Sequence, residues 1–423
     1  MSLTSRFSCL SDHDPNTLSV DQARAFIRSQ LTPLAMHERL ALRSALGRVL
    51  ARDVIAPFNV PAHDNSAMDG YALRHAELSS SAETHLRIVG TALAGKVFTG
   101  TVGAGECVRI MTGALLPAGS DTVVIQESVE TDGEDIVVPV GQRAGQNIRL
   151  AGEDLAAGQP ALAAGRLIRP AELGLLASLG CAEVSVYRRL RVAFFSTGDE
   201  LCSIGTPLVD GQVYDSNRYT IFGMLSRLGC EVLDMGVVGD DPVTLEAAFR
   251  DAAAAADVVI TSGGVSVGEA DFVKRLMAQL GEVLFWKIAM KPGRPMAFGR
   301  LDGGPQSAWL FGLPGNPVAV MATFYEFVRD ALYVLMGADP VPVVPLLPAR
   351  CAAAIRKAPG RTEFQRGVLG VVDGQWSVRP AGAQGSGILR SMSDANCFIV
   401  LEHDRGPVAV GDQVQVQLFE GLA

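Results

Sequence analysis

The sequence predicts an α/β multidomain protein with a three-layer parallel-sheet unit, a split helical N-terminal unit carrying an inserted β-rich unit, and a C-terminal β-barrel. Three observations predict it. From Leu190 to about Met336, strand-like runs such as RVAFFST, DVVIT and AWLFGL alternate with helix-like runs, the pattern of a mainly parallel sheet covered on both faces. Helical texture near the N-terminus gives way between Asp53 and about Ile148 to brief β-rich runs, then returns from Ala151 to Tyr187. After the prolines between Pro340 and Pro348 the chain is strand and turn to its end.

Taken in order, residues 1–17 are polar and unpatterned and read as a frayed end. Ser19 and Gln22 have capping-box spacing, and Val20, Ala23, Phe26, Ile27 and Leu31 form one apolar face before Pro33 stops the run. A second helix is expected near Leu42–Leu50. LRIVG, ECVRIM, DTVVIQ and DIVVPV, separated by Gly, Pro, Ser and Asp, read as strands of a small all-β unit. Pro170 suits the first position of a helix that Gly180 ends. In the central segment Ile221, Phe222, Leu225 and Leu228 make one apolar helix face. Leu245, Ala248, Phe249 and Ala252 make a second, and Phe272, Val273, Leu276, Met277 and Leu280 a third. The expected division is 1–55 with 151–187, 56–150, 188–338 and 339–423.

The chain has 423 residues, 48% hydrophobic and 19% charged, enough to bury several cores. Its net charge of −9 disfavours nucleic acid and anionic membranes as partners and requires a local positive site for any polyanionic ligand. Seven cysteines lie scattered without a C-x-x-C pair, which points to reduced thiols in a cytoplasmic protein instead of zinc ligands or a disulfide frame. No charged n-region precedes an apolar h-region, so no signal peptide is expected. The longest uncharged stretch, Gly303 to Tyr325, is broken by prolines and cannot be one membrane helix.

Chemistry collects around Asp257–Lys274, DVVITSGGVSVGEADFVK, which reads as strand, loop and helix start. Gly263, Gly264 and Gly268 remove the Cβ atoms that keep an anion away, so backbone N–H groups can converge on a phosphate at the helix start. STGDEL, KPGRP and GLPGNP leave other strand ends on the same edge. Lys291 and Arg294 supply positive charge, while Asn316 as cap and Pro317 as first residue begin a helix over Val318–Val334 whose positive end faces that edge. Asp199, Glu200, Asp240, Asp241 and Asp271 share the edge. Carboxylates beside a phosphate need an intervening cation, and Mg2+ held by Glu200 and Asp271 fits; Asp241, just before Pro242, reads as a helix cap.

Elsewhere, HDNSAMDGYA (63–72) and RIMTGA (109–114) read from spacing alone as tight turns. Arg361, Arg366, Ser386 and Ser391 pass on composition as solvated surface. Gly264-Val-Ser-Val-Gly268 also matches a nucleophile elbow, which admits a serine carbonyl hydrolase using Ser266. That reading is weakened because His403, in the β-rich tail, is the only later histidine and no HGGG-type loop precedes the motif.

DNSAMDGYA, RIMTGA, STGDEL, YDSNRYT, TSGGVSVGEAD, KPGRP, GLPGNP and SGILRSMSDANCFIV, in that order, resemble the molybdopterin molybdenumtransferase family, the MoeA family that includes the gephyrin E domain. The resemblance runs from about Leu18 to the end. It implies a four-domain homodimer with a molybdopterin-binding α/β domain, and molybdenum insertion from molybdate into adenylylated molybdopterin with Mg2+-assisted release of AMP. It also implies an upstream molybdopterin adenylyltransferase and downstream molybdoenzymes or chaperones. By matching motifs, Thr261, Ser262, Gly263, Gly264, Ser266 and Gly268 would hold the pterin phosphate end, with Arg294, Asn316 and Ser386 as further binding residues. Glu200 and Asp271 would lie near Mg2+, Lys291, Pro292, Arg366 and Ser391 would line the molybdate site, and Asp69 and Thr112 would enter from the other subunit. His63 stands where the family often has an aromatic residue, and Arg294 where it often has lysine. A third reading is a non-catalytic dimeric scaffold, as for gephyrin's related domain.

Overall fold

The computed structural model describes residues 17–263, 276–277, 279–303 and 307–420. Its central sheet has six strands: β1 (Arg191–Thr197), β2 (Glu231–Val238), β3 (Val258–Ser262), β4 (Gly281–Lys287), β5 (Pro295–Asp302) and β6 (Ser307–Leu313). Their order is 2-1-3-6-5-4. β2, β1, β3 and β6 run parallel, and β5 alone runs opposite to its neighbours β6 and β4. The carboxyl ends of β1, β3, β4 and β6 and the start of β5 therefore share one edge.

Side chains alternate across a strand, and here both faces are buried. Val192 and Phe194 of β1 join a core with Ile221 and Leu225 of the Ser216–Arg227 helix and Val318 of the helix after β6. Ala193 and Phe195 face the other way, into a core with Leu245, Ala248, Phe249 and Ala252 of the Pro242–Ala255 helix and with Leu276, Met277 and Leu280. The first two faces follow the expected spacing except at Phe222, which is 49% exposed; of the third, Leu276, Met277 and Leu280 are buried, while Phe272 and Val273 lie outside the described residues. The helix after β6 runs from Pro317 to Leu335 with a π-turn at Phe324–Val328.

The Val20–Gln30 helix begins with the expected capping box: Ser19 Oγ accepts from Gln22 N–H, and Gln22 Oε1 accepts from Ser19 N–H. Its apolar face packs on the central core, with Phe26 edge-on to Trp286 at 5.3 Å. The helix expected near Leu42–Leu50 is only a 3-10 turn over Leu42–Ala45. Gly47 then adopts φ 75°, and the backbone of Gly47 and Leu50 donates to Ile168 and Arg166 instead of continuing a helix. Flanking segments meet here, because His37–Ala41 pairs antiparallel with Glu183–Tyr187 and Val54–Ile55 pairs with Pro160–Leu162. Between them lies a six-stranded sheet that includes Gly70–Leu73, Thr84–Ala92, Glu106–Ile110, Thr122–Ile125 and Asp135–Val138.

At the C-terminal end, strands Thr362–Val372, Gln375–Pro380, Leu346–Cys351, Gln413–Leu418 and Cys397–Leu401 pair in that order, and the last pairs back with the first. In this closed five-stranded barrel every strand pairs on both sides. Met290–Lys291, between β4 and β5, adds to it as a short parallel strand against Thr362 and Glu363.

Ser19→Ala removes one arm of the capping box and is expected to lower unfolding stability by about 1 kcal/mol, read as a shift in urea midpoint at unchanged slope.

Candidate active site

β1, β3 and β6 end side by side, with Ser262 opposite both Ser196 and Leu313. The turn after β3 requires glycine at 263: φ is 96°, and a Cβ there would lie 2.4 Å from the Thr197 carbonyl oxygen. Gly263 N–H donates to the Leu313 carbonyl, and a Cβ at Gly315 would face Gly263 Cα at 3.8 Å. Backbone thus lines the shared edge, as an anion-binding loop needs. Thr261 and Ser262 are buried beneath it. Gly264, Ser266, Gly268 and Asp271 lie outside the described residues.

Asn316 occupies the cap position of the helix after β6, but its side chain makes no capping hydrogen bond, contrary to expectation. A partner for that helix end comes from the barrel: Val318 N–H donates to the Ser386 carbonyl at 3.0 Å. A Cβ at Gly387 would lie 3.9 Å from Asn316 Oδ1, so the barrel loop sits directly against the helix end.

That loop also surrounds a buried cation. Arg366 is only 1% exposed; Nη2 donates to the Ala383 and Gly385 carbonyls and Nε donates to Ser391 Oγ. Ser391 is buried and donates in turn to the Ile388 carbonyl. Composition would have left both on the surface; the structure buries them. Burial pushes the Arg366 pKa down to about 10, so the group stays cationic at neutral pH. Its hydrogen-bond partners are all neutral, and a buried cation with neutral partners favours an incoming anion. Lys291 and Arg294 are exposed on the KPGRP turn, which closes through Ile288 N–H to the Arg294 carbonyl, while Pro292 is buried. Lys291 stands opposite Glu363, three residues before Arg366 on the same barrel strand. Arg361 remains at the surface, 3.6 Å from Glu363.

The carboxylates divide. Asp241 Oδ1 accepts from Thr244 N–H at 3.0 Å and is the helix cap expected of it. Asp199 Oδ1 accepts from Asp240 N–H. Glu200 is exposed and bends back over Gly198, where a Cβ would lie 2.5 Å from Glu200 Oε2. Among the described residues no group of three or more His, Cys, Asp or Glu is placed to hold a metal ion.

Four polar residues at this edge were not singled out by the sequence, although Ser196 and Thr197 open the STGDEL loop expected here. Ser196 Oγ, Thr197 Oγ1, Asp215 Oδ2 and Asn217 Oδ1 are buried and have no hydrogen-bond partner among the described residues. Asp215 spends its other oxygen capping the Ser216–Arg227 helix through Arg218 N–H. The signal was an Asp-Ser-Asn run at a helix start, which leaves one cap oxygen over for a ligand.

Asp69 and Thr112 form their own pair. Asp69 Oδ1 accepts from both the N–H (2.7 Å) and the hydroxyl (2.8 Å) of Thr112, joining HDNSAMDGYA to RIMTGA at the surface. Both flank strands of the β-rich sheet, just before Gly70–Leu73 and just after Glu106–Ile110, and no hydrogen bond among the described residues links them to the carboxyl edge of the central sheet. His403, required by a hydrolase triad, lies on the barrel bonded to Asp404, in a separate cavity of about 830 Å³ that includes Ser19 and Arg24.

Comparison with known proteins gives three family matches in chain order. MoeA N-terminal region (domain I and II) matches residues 18–180, a probable molybdopterin binding domain 193–333, and MoeA C-terminal region (domain IV) 348–419. The chain is 45% identical over 408 residues to a molybdopterin molybdenumtransferase of Haemophilus influenzae, covering 96% of this chain and 99% of that protein. It is 36% identical over 388 residues to one of Nostoc sp., covering 90% and 88%. A crystal structure of a molybdopterin biosynthesis moeA protein from Pyrococcus horikoshii superposes with a TM-score of 0.80 at 28% identity, over 96% of this chain and all of that one.

The Thr112 backbone N–H, then its hydroxyl, hold the Asp69 carboxyl below its ordinary 3.8. The charged pairing is therefore complete above that value and is lost as pH falls through the lower folded value. Carboxyl-carbon NMR should show Asp69 titrating below 3.8, and Thr112→Ala, which keeps the N–H, should return it only part of the way.

Proposed function

The chain belongs to the MoeA family of molybdopterin molybdenumtransferases, enzymes of molybdenum cofactor biosynthesis, and on that premise we propose that it inserts molybdenum from molybdate into adenylylated molybdopterin with release of AMP. The observation that carries the molybdate half of this reading is Arg366, a buried guanidinium hydrogen-bonded to Ser391 and to neutral carbonyls. Molybdate is a tetrahedral dianion. Arg366 and Ser391 offer it donors from the barrel, Lys291 offers charge from the adjoining strand, and Pro292 shapes the turn between them.

The turn at Thr261–Gly263 and the helix end at Asn316 take the phosphate end of the pterin substrate, with Ser386 bonded to that helix end and Arg294 assigned to the same ligand by its motif position. Ser266 and Gly268, outside the described residues, are assigned to the same ligand by their motif positions. Mg2+ is assigned by motif position to Glu200 and Asp271, of which Glu200 is exposed at this edge and bent over Gly198. Mg2+, when bound, offsets charge on the phosphoanhydride. The chain's own groups do the positioning: the strand-end loops fix the phosphates and the barrel donors hold the oxyanion. Asp69 and Thr112, paired on the surface of the β-rich sheet, reach this cleft from the second copy of a homodimer. The reaction belongs in the cytoplasm, between a molybdopterin adenylyltransferase and the acceptors of the finished cofactor. The division into units at 1–55 with 151–187, 56–150, 188–338 and 339–423 is part of the same reading.

Purified protein given adenylylated molybdopterin, molybdate and Mg2+ should release AMP only when molybdate is present; AMP release that ignores molybdate, or none at all, defeats the reading. Millimolar molybdate should also raise the melting temperature by mass action. Arg366→Gln should abolish that rise and, by losing a charge-assisted hydrogen bond, raise the KM for molybdate roughly 10- to 100-fold.

A further inference from the structure

Asn217, the second residue of the Ser216–Arg227 helix, is 6% exposed and touches two loops of the carboxyl edge at once. Its Nδ2 donates to Ser262 Oγ at 2.7 Å and to the Gly315 carbonyl at 2.7 Å. The carbonyl can only accept, so the orientation of the amide is fixed. Ser262 ends β3 and Gly315 lies just beyond β6, with Ser262 and Leu313 paired in the ladder. The turn after β3 excludes a side chain, because Gly263 at φ 96° abuts the Thr197 carbonyl, and a Cβ at Gly315 would make ordinary contact with Gly263 at 3.8 Å. The ladder ends there. Ser262 Oγ donates to the Pro314 carbonyl only at 3.5 Å, so the two shorter bonds from Asn217 are the side-chain link between the loops.

We propose that Asn217 is a positioning residue that sets the separation of the two loops assigned to the phosphate end of the pterin substrate. The inference rests on that assignment and goes beyond it by naming a group outside both loops. A neutral amide at this place gives two hydrogens to two acceptors on different loops without burying a charge. Aspartate has the same shape and no hydrogen to give, and its charge would oppose the Gly315 carbonyl. Serine, with one hydrogen and a shorter reach, could serve one loop at most.

The test compares wild type, Asn217→Asp and Ser262→Ala for direct binding of molybdopterin, by quenching of protein fluorescence, and of molybdate, by calorimetry. In Asn217→Asp, molybdopterin should bind roughly 10- to 100-fold more weakly, as expected when a buried carbonyl loses its donor. Molybdate affinity should stay within about twofold, because its donors sit on the barrel. Ser262→Ala, which cuts one arm and leaves the Gly315 bond, should show a smaller loss of the same kind. Wild-type molybdopterin affinity in Asn217→Asp overturns the inference. So does equal loss of both ligands together with a lowered melting temperature, which would make the amide a general stabiliser. A wild-type chain that binds molybdopterin but releases no AMP would count against the proposed reaction while leaving the binding comparison to decide the role of Asn217.

Discussion

The arrangement of the site depends on one hydrogen bond between two units of the fold. The helix after β6 begins with an N–H that its own cap residue leaves unbonded, and the Ser386 carbonyl of the barrel accepts it. Helix ends carry unpaired donors that must find partners, so an end left open by its own sequence demands one from elsewhere. Satisfying that demand brings in the whole 383–388 loop. The loop's carbonyls in turn satisfy Arg366, and Ser391 completes its shell. A second seam, Met290–Lys291 added to the Thr362–Val372 strand, fixes the barrel from the other side. The barrel's buried cation and the sheet's glycine turns are thus held in a common frame by backbone groups, which are less easily displaced than exposed ion pairs.

This frame bears on how a molecule of net charge −9 would hold the anions proposed as its substrates. Long-range attraction is not available to it, so selectivity must come from desolvated donors at short range. A buried guanidinium is costly to maintain without a counter-charge, and neutral carbonyls compensate only in part. Binding a dianion relieves that cost. An exposed lysine alone would give a weaker and more salt-sensitive site. Orphaned acceptors at Asp215 and Asn217 and hydroxyls at Ser196 and Thr197 play the complementary part on the sheet, where a ligand bearing its own donors would meet them.

Much of this was legible from residues. The continuous apolar run RVAFFST and the helix faces at Ile221 and Leu245 pointed to the three layers, because a strand covered on both faces is buried along its length. Asp241 and Ser19 were readable as caps, since capping is a local interaction within three residues. The failures share a cause. Leu42–Leu50 has helical composition, but its backbone is claimed by segments more than 100 residues away. Asn316 looked like a cap, yet a barrel loop took the donor. Arg366 and Ser391 looked like surface because nothing local signals that a distant loop will close over them. Asn217 was passed over because its partners, Ser262 and Gly315, are 45 and 98 residues distant. For Arg366, Ser391, Asp69 and Thr112, the ordered motifs pointed to roles that spacing alone assigned to surface or turn.

The Val20–Gln30 helix bears on the same frame from its far side. Glu326, within the π-turn of the helix after β6, has no exposed side-chain surface and pairs with Arg24. Its Oε1 has no hydrogen-bond partner among the described residues. Insertion of one residue into a helix rotates every residue beyond it, and here it turns a carboxylate inward where a regular helix would place a different side chain. Burial outweighs the nearby acids and lowers the Arg24 pKa from its ordinary value, the mark of a charge held for its geometry and not for its hydration. Removing Arg24 leaves the Glu326 carboxylate buried without its cation, whereas Arg24, 39% exposed and bonded also to Asp21, keeps a partner when Glu326 is replaced. The pair therefore acts as a registration pin. It fixes the rotation of a helix whose opposite end presents Asn316 and Val318 to the barrel, so the N-terminal helix, remote from every proposed ligand, helps determine whether the helix end and the barrel loop meet.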